Sequence, residues 1–198
     1  MKTDIILSGV GGQGILSIAA IIGEAALTKG LYMKQAEVHG MSQRGGDVQS
    51  NLRLSNQPIA SDLISKGQAD LIISLEPMES LRYLPYLKKD GWVVTNSQPY
   101  LNIPNYPDPE KVKAELDKLP RKVALDVEKI AQSIGSSRVA NIVILGAATP
   151  FLGIEYPMIE EGIRRIFRRK GDDVVQLNLK ALKTGAEFQT LYTTYEST

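Results

Sequence analysis

The first 30 residues constrain the fold of this chain more than any other stretch. The segment DIILSGV, residues 4–10, is a short β-rich run that leads into the glycine-rich turn GGQG, residues 11–14. An apolar segment, ILSIAAIIGEAALTKG, follows directly and ends at Gly30. Because apolar residues occur almost all round this predicted helix, we expect it to be packed on both sides. A buried strand, a tight turn and a buried helix in succession predict the first unit of an α/β fold.

The rest of the chain continues the alternation of strand and helix. Further strands are predicted at residues 31–38, 47–55, 69–77, 91–97 and from 122. Further helices are predicted at about 78–87, 110–119, 126–135, 136–150, 157–171 and 173–191. This order favours a three-layer, Rossmann-like α/β fold, in which a mostly parallel sheet carries helices on both faces and the C-terminal part is helical.

A chain of 198 residues has the length of one domain. We therefore expect a single domain over residues 1–198, with a helical C-terminal extension from about 156 to 198. The segment QPYLNIPNYPDP, residues 98–109, contains four prolines and is the clearest break in regular structure. In the predicted helix at 157–171, four arginines lie opposite the apolar face, which favours a solvated helix face over a docking site.

Composition narrows the classes of function. The formal net charge is +1, so the overall charge of the chain does not favour binding to nucleic acid or to an anionic membrane. The chain has no cysteine, which excludes disulfides and thiolate-bound iron–sulfur clusters, and its single histidine argues against a zinc site. No apolar run approaches the roughly 18 residues of a membrane span, and no signal peptide is apparent. We expect a soluble, cytoplasmic protein that binds no metal by itself.

The turn after the first strand fits the pattern G-x-G-x-x-G, with Gly9, Gly11, Gly12, Gln13 and Gly14 as its residues. In this context, glycines let the backbone approach a phosphate, and the N-terminus of the helix offers free N–H groups. Glu37 lies 23 residues after Gly14, close to where dinucleotide-binding folds place a ribose-binding carboxylate. The alternative is a tight turn that binds nothing. A nicotinamide cofactor is disfavoured because little chain remains for a substrate domain.

The segment QAEVHGMSQRGGDVQSNLRLS, residues 35–55, contains the only histidine, His39. A histidine in this place is a candidate general base, but no carboxylate or nucleophile stands at a diagnostic spacing from it. Arg44 and the following glycines are candidates for holding an anion, and equally for presenting residues to a partner protein. The residues by themselves leave catalytic and interfacial roles open.

Two stretches, SGVGGQGILSIAAIIGEAA and the segment 35–55, resemble the gamma-type domain of 2-oxoacid:ferredoxin oxidoreductases. The string EVHGMSQRGG is the most specific part of the resemblance. The strings SLEPMESLRYLPYLKKDGWVVTNS and SRVANIVILGAA fit the same family, so the resemblance covers nearly the whole chain. The similarity is greatest to the branch that acts on indolepyruvate. Relatives that act on pyruvate, 2-oxoglutarate or branched-chain 2-oxoacids share the domain.

The resemblance implies a subunit without activity of its own. The complete complex converts a 2-oxoacid, coenzyme A and oxidised ferredoxin to acyl-CoA, carbon dioxide and reduced ferredoxin. Thiamine diphosphate, Mg²⁺ and the iron–sulfur clusters are then expected in a larger catalytic alpha subunit. Ferredoxin is expected to be a partner of this chain only through the complex. In this chain Gly46-Asp47 and Gly171-Asp172 do not continue into the Gly-Asp-Gly segment that holds thiamine diphosphate.

The resemblance also implies site residues. We expect a loop from Glu37 to Gly46 to face the thiamine site of the partner and to help close the substrate pocket. Its interface residues are Glu37, His39, Gly40, Met41, Ser42, Gln43, Arg44, Gly45 and Gly46, and its candidate catalytic contacts are His39, Gln43 and Arg44. The glycine turn is expected either to meet the phosphates of coenzyme A at the interface or only to pack there.

An obligate subunit should expose apolar surface when isolated, and such a surface favours self-association into homo-oligomers. Candidates are Met41, the segment with Tyr100 and Tyr106, and the last helix. Two other functions stay open on the residues alone: an autonomous NAD-linked dehydrogenase and a nucleotide-binding regulatory module. The scarcity of plausible catalytic groups argues against the first, and the family-like loop argues against the second.

Overall fold

The computed structural model describes residues 1–40, 46–101 and 105–195. Its strands are β1 (Lys2–Val10), β2 (Tyr32–His39), β3 (Asp47–Ser55), β4 (Ala69–Ser74), β5 (Leu87–Asn96) and β6 (Lys122–Leu125). Its helices are α1 (Ile15–Thr28), α2 (Pro77–Arg82), α3 (Pro109–Asp117), α4 (Val127–Ser133), α5 (Ala140–Ala148), α6 (Tyr156–Phe167) and α7 (Asp172–Tyr195). Short 3₁₀ turns cover Leu84–Tyr86, Ser137–Val139, Thr149–Phe151 and Arg168–Lys170.

The strands form one sheet in the order β2-β3-β1-β4-β5-β6. The pairings of β1 with β4, β4 with β5 and β5 with β6 are parallel, whereas β3 is antiparallel to both of its neighbours. Five of these six strands therefore point the same way, and the predicted α/β class with a mostly parallel sheet is confirmed. The reversal of β3 follows from its short connection to β2, because parallel neighbours need a crossover of a dozen or more residues.

Odd-numbered and even-numbered side chains of β1 point to opposite faces of the sheet. Ile5 and Leu7 belong to the larger core, which also contains buried residues of α1, α4, α5, α6 and α7. Ile6 belongs to a smaller core on the other face, with Ile72, Val93 and the Tyr83 side chain that follows α2. The predicted helices on both faces are therefore present, but more of them pack on the face that carries the larger core.

Helix α1 lies between the sheet and α6, which agrees with the predicted packing on two sides. The packing is not complete, because Leu16 is 44% exposed and Leu27 is 60% exposed. The helix predicted at 78–87 is shorter than expected: α2 ends at Arg82, and Leu87 already begins β5. Pro85, which has no N–H group, lies in the 3₁₀ turn between them and prevents the α-helix from continuing.

Glycines set the distance between α5 and α7. A Cβ added to Gly146 would overlap the carbonyl oxygen of Leu182, and one added to Gly185 would overlap that of Val143. The two helix backbones can approach this closely only because both positions lack a side chain. As a result α7 lies directly on α5, which itself packs on β4 and β5.

No helix in the described ranges combines the length and the apolar character that crossing a bilayer requires.

We expect Gly185→Ala to lower the free energy of unfolding by about 1–3 kcal/mol, because the new methyl group forces α7 away from α5. Chemical denaturation of the purified chain measures the change. Lys180→Ala, an exposed position on the same helix, is the control and should stay within about 0.5 kcal/mol of the parent. Equal stability of Gly185→Ala and the parent would contradict the close packing.

Candidate functional site

The candidate site lies where β1 and β4 end side by side. After β1 the chain turns into α1 on the larger-core side, and after β4 it turns into α2 on the other side. Neighbouring parallel strands whose connections leave to opposite faces form a topological switch point, where open α/β sheets bind their ligands. The glycine turn therefore stands at the position where this class of fold places a binding crevice.

The side chain of Gln13 holds the glycine turn in place. Its Oε1 accepts a hydrogen bond from the N–H of Val10 at 2.7 Å, and its Nε2 donates to the carbonyl oxygen of Leu75 at 3.1 Å. Gly14 adopts a left-handed conformation with φ of 88° and is the N-cap residue that precedes α1. A Cβ at Gly14 would lie 2.6 Å from Nδ2 of Asn141, which donates to the Gly14 carbonyl oxygen. Both the conformation and this close approach require glycine at position 14.

The carbonyl oxygen of Leu75 continues the hydrogen-bond chain across the ends of the other parallel strands. Nδ2 of Asn96, at the end of β5, donates to it at 3.4 Å and to Oε2 of Glu128 in α4 at 3.0 Å. Oδ1 of Asn96 accepts from the N–H of Val127, which follows β6. Side-chain amides thus connect the ends of β1, β4, β5 and β6 at one edge of the sheet.

The connection between β2 and β3 starts and ends beside the glycine turn. The N–H of Gly11 donates to the carbonyl oxygen of Gly46 at 2.9 Å, and the N–H of Gly40 donates to that of Asp47 at 2.9 Å. The structure therefore brings the two family-like stretches of the sequence to the same edge of the sheet. Residues 41–45 lie outside the described residues, so the predicted contacts Met41, Ser42, Gln43, Arg44 and Gly45 stay predictions.

The predicted loop from Glu37 to Gly46 begins later than expected. Glu37 and His39 are residues of β2, where they pair with Ser50 and Val48 of β3, and the connection starts at Gly40. Only the backbone of His39 is described. Glu37 is exposed, and its Oε1 accepts a hydrogen bond from Nε2 of Gln35.

The topology argues against the ribose-binding role considered for Glu37. In a dinucleotide-binding fold the carboxylate-bearing strand lies next to β1. Here β3 lies between β1 and β2, so Glu37 is two strand spacings, roughly 9–10 Å, away from the strand that leads into the glycine turn. This separation favours the other interpretations of the chain over a nicotinamide-dependent dehydrogenase.

A buried carboxylate at the end of β4 was not among the predicted site residues. Glu76 caps α2, since its Oε2 accepts from the N–H of Glu79 at 2.9 Å. Its Oε1 accepts from the hydroxyl of Tyr106 at 2.5 Å and from the N–H of Tyr100 at 3.4 Å. Glu76 thereby fixes the proline-rich segment after β5 against the switch point. A carboxylate followed by Pro77 at the end of an apolar strand is the sequence signal that indicates such a helix start.

Burial dominates the electrostatics of this cluster. The pKa of the Glu79 carboxyl is raised by desolvation, although a hydrogen bond from Arg82 opposes that shift. The pKa of the Tyr106 hydroxyl is raised by burial and by the hydrogen bond that it donates to the Glu76 carboxylate. Among the described residues, no three histidine, aspartate or glutamate side chains come together as metal ligands.

Exposed apolar side chains lie around this edge and on α7. A groove of about 300 Å³ beside the glycine turn is lined by Val10, Ile15, Leu16 and Val48, among others. Val38 on β2, Tyr100 and Leu101 after β5, and Phe188 and Leu191 on α7 are exposed. Tyr106, expected at an exposed patch, is instead held by Glu76.

The chain is similar to the proteins of one known family. Residues 4–188 match the family model described as pyruvate ferredoxin/flavodoxin oxidoreductase. The chain is 39% identical over 197 residues to the indolepyruvate oxidoreductase subunit IorB of Archaeoglobus fulgidus, with 93% of this chain and 94% of that protein covered. It is 31% identical over 163 residues to the common gamma subunit of the pyruvate/ketoisovalerate oxidoreductases of Pyrococcus furiosus, with 80% and 83% covered.

A solved structure has the same fold. The gamma subunit of a keto/oxoacid ferredoxin oxidoreductase from Geobacter sulfurreducens superimposes with a TM-score of 0.70 at 27% identity, over 96% of this chain and 99% of that one. The family resemblance drawn from the sequence is thereby confirmed.

We expect Tyr106→Phe to lower the free energy of unfolding by about 1–2 kcal/mol at pH 8, because it removes the hydrogen bond to the Glu76 carboxylate. The folded-state pKa of Tyr106 lies above the unfolded value of about 10. The stabilisation is therefore fully present below pH 10 and is lost as the pH rises through the folded-state pKa. Denaturation at a series of pH values measures this difference. Tyr100→Phe, which keeps its backbone contact to Glu76, is the control; an equal loss there would contradict the assignment.

Proposed function

Because the chain belongs to the pyruvate ferredoxin/flavodoxin oxidoreductase family, we propose that it is the gamma-type subunit of a cytoplasmic indolepyruvate or aryl pyruvate:ferredoxin oxidoreductase. The whole chain then forms one gamma-type domain. Identity to subunits named for indolepyruvate exceeds identity to those named for pyruvate and ketoisovalerate, which favours indolepyruvate as the substrate. Pyruvate, 2-oxoglutarate and branched-chain 2-oxoacids are the alternative substrates.

In this proposal the redox chemistry belongs to other subunits. The chain has no cysteine to bind a cluster, so a larger catalytic subunit carries the iron–sulfur clusters, thiamine diphosphate and Mg²⁺ and passes electrons to ferredoxin. When bound in that subunit, thiamine diphosphate would supply the electron sink that stabilises the carbanion left when the 2-oxoacid loses carbon dioxide. This chain would then contribute surface and contacts to the assembled site.

One observation carries the proposal: the glycine turn and the end of the connection between β2 and β3 meet at the carboxyl end of β1 through the Gly11–Gly46 hydrogen bond. We infer that the segment from Glu37 to Gly46 faces the thiamine site of the partner. Its arginine, Arg44, suits a carboxylate or a phosphate because a guanidinium presents paired donors. His39 and Gln43 are the other proposed polar contacts.

Coenzyme A is the proposed ligand of the glycine turn at the subunit interface. Among the described residues, the N–H groups of Gly12 and Gly14 have no hydrogen-bond acceptor, and the N-terminus of α1 favours negative charge. The exposed apolar side chain of Leu16 lines the groove beside this turn. In the absence of the partner, we expect this surface to support self-association.

Co-purification tests the proposed assembly. The tagged chain should retain a large partner with bound thiamine diphosphate and iron–sulfur clusters. The eluate should reduce ferredoxin or a viologen dye when indolepyruvate and coenzyme A are both present. Replacing indolepyruvate in turn by pyruvate, 2-oxoglutarate and a branched-chain 2-oxoacid identifies the substrate. A monomer or homo-oligomer without a partner would overturn the proposal.

We expect Arg44→Ala to lower kcat/KM for the 2-oxoacid by roughly tenfold or more in the assembled complex, because a charge-assisted contact is lost. Steady-state kinetics of the complex measure the effect, and gel filtration checks that the subunits still assemble. Arg169→Ala, an exposed arginine elsewhere on the chain, is the control. Normal turnover of an assembled Arg44→Ala complex would contradict the proposed contact between Arg44 and the substrate.

A further inference from the structure

Strand β2 forms one edge of the sheet, where it pairs with β3 alone among the described strands. Its outer side therefore presents backbone N–H and C=O groups that no described strand satisfies, and such an edge is a template for another strand. We propose that β2 pairs antiparallel with β2 of a second copy of this chain, about a twofold axis at Gln35. The sheets of the two copies then form one continuous sheet.

Soluble proteins usually protect an exposed sheet edge, and β2 lacks the usual devices. Its sequence, YMKQAEVH, contains no proline, and its 8 residues pair with β3 without a bulge. The strand at the other edge, β6, has only 4 residues. A lysine on an edge opposes pairing, but Nζ of Lys34 is bound to the carboxylate of Asp62 and the carbonyl oxygen of Ala60. A long, regular and unprotected edge indicates a strand that accepts a neighbour.

The side chains of β2 divide between the two faces of the sheet. Met33 packs against the larger core, so the odd-numbered side chains lie on that face and the even-numbered ones on the opposite face. On the opposite face, Tyr32 is 51% exposed and Val38 is 53% exposed. The strand therefore presents a large apolar side chain to solvent near each of its ends, and Gln35 lies midway between them.

The positions of these two side chains are self-complementary. Because side chains alternate between faces, residues that lie opposite each other across a twofold axis are separated by an even number of positions in the sequence. When Gln35 lies opposite Gln35 of the second copy, Tyr32 lies opposite Val38, and symmetry produces this pair twice. An aromatic side chain opposite a β-branched one is a favourable cross-strand pair. Each exposed apolar side chain of the strand thus finds its partner in the other copy.

The neighbouring registers are less favourable. A twofold axis at Lys34 sets two lysines directly opposite each other, and like charges in that position are destabilising. An axis at Ala36 sets Lys34 opposite Val38 and leaves Tyr32 without an opposite residue in β2. The exposed apolar pair therefore selects the register at Gln35. It also selects a second copy as the occupant of the edge, since one strand supplies both halves of each contact.

Sedimentation equilibrium of the full chain should show a dimer. Val38→Asp should raise the Kd of the dimer roughly tenfold or more, because it replaces an apolar contact by a charge at two symmetry-related positions. Leu191→Asp is the matched control: it makes the same kind of change at a side chain of α7 that is 57% exposed, and it should leave Kd within about twofold of the parent. A monomeric parent chain overturns the proposal, and so does a dimer that Val38→Asp weakens no more than Leu191→Asp.

A spin label tests where the two strands meet, because the chain has no cysteine and a single introduced cysteine is labelled alone. Gln35→Cys places the labelled residues of the two copies opposite each other, with their Cβ atoms about 4.5–5.5 Å apart. The EPR spectrum should show strong dipolar broadening, which dilution with unlabelled chain removes. Lys180→Cys, an exposed position on α7, is the control and should show none.

A labelled Gln35→Cys dimer with a spectrum as sharp as that of Lys180→Cys overturns the pairing at Gln35. Neither measurement uses the proposed partner subunit. The co-purification experiment tests that subunit separately, so failure of the β2 pairing and failure of the proposed function are distinguishable.

Discussion

The arrangement of this edge of the sheet depends on the two hydrogen bonds formed by the side chain of Gln13. A switch point leaves the ends of two adjacent strands without a common helix to cover them, and buried carbonyl groups there need donors. Gln13 accepts from the end of β1 and donates to the carbonyl oxygen of Leu75 after β4. Asn96 donates to the same oxygen from the end of β5. Two neutral amides therefore connect three strand ends and hold the glycine turn that follows β1 in place.

The insertion of β3 between β1 and β2 determines which residues lie beside the glycine turn. In the antiparallel hairpin, β2 ends and β3 begins at the same edge as the carboxyl end of β1. Gly46, the last residue of the segment that most resembles the family, is thereby placed beside the glycine turn, and Glu37 lies two strands away from β1. The position of this single reversed strand separates the fold of this chain from a dinucleotide-binding fold with the same glycine pattern.

Local patterns predicted the elements well because they depend on neighbours in the chain. The apolar runs of β1 and β4, the long apolar helix α1, and the opposed isoleucine and arginine faces of α6 all follow from periodicity over a few residues. Contacts between distant residues were not predictable in this way. The Gly146 and Gly185 positions, the Asn141 bond to Gly14 and the Glu76 bond to Tyr106 each join elements far apart in sequence, and no local pattern encodes such pairings.

The α/β class, the order of strands and helices, the glycine turn and the family resemblance were all predictable from the sequence, because hydrophobic periodicity, turn residues and motif strings are local properties. The absence of a cysteine ligand is likewise read directly from the sequence. Three features became apparent from the three-dimensional arrangement alone: β3 is antiparallel to its neighbours, Glu37 lies two strands from β1, and Arg138 and Lys170 line one cleft. These facts depend on how strands pair and how helices pack across the sheet, and those choices are set by the whole core rather than by any one segment.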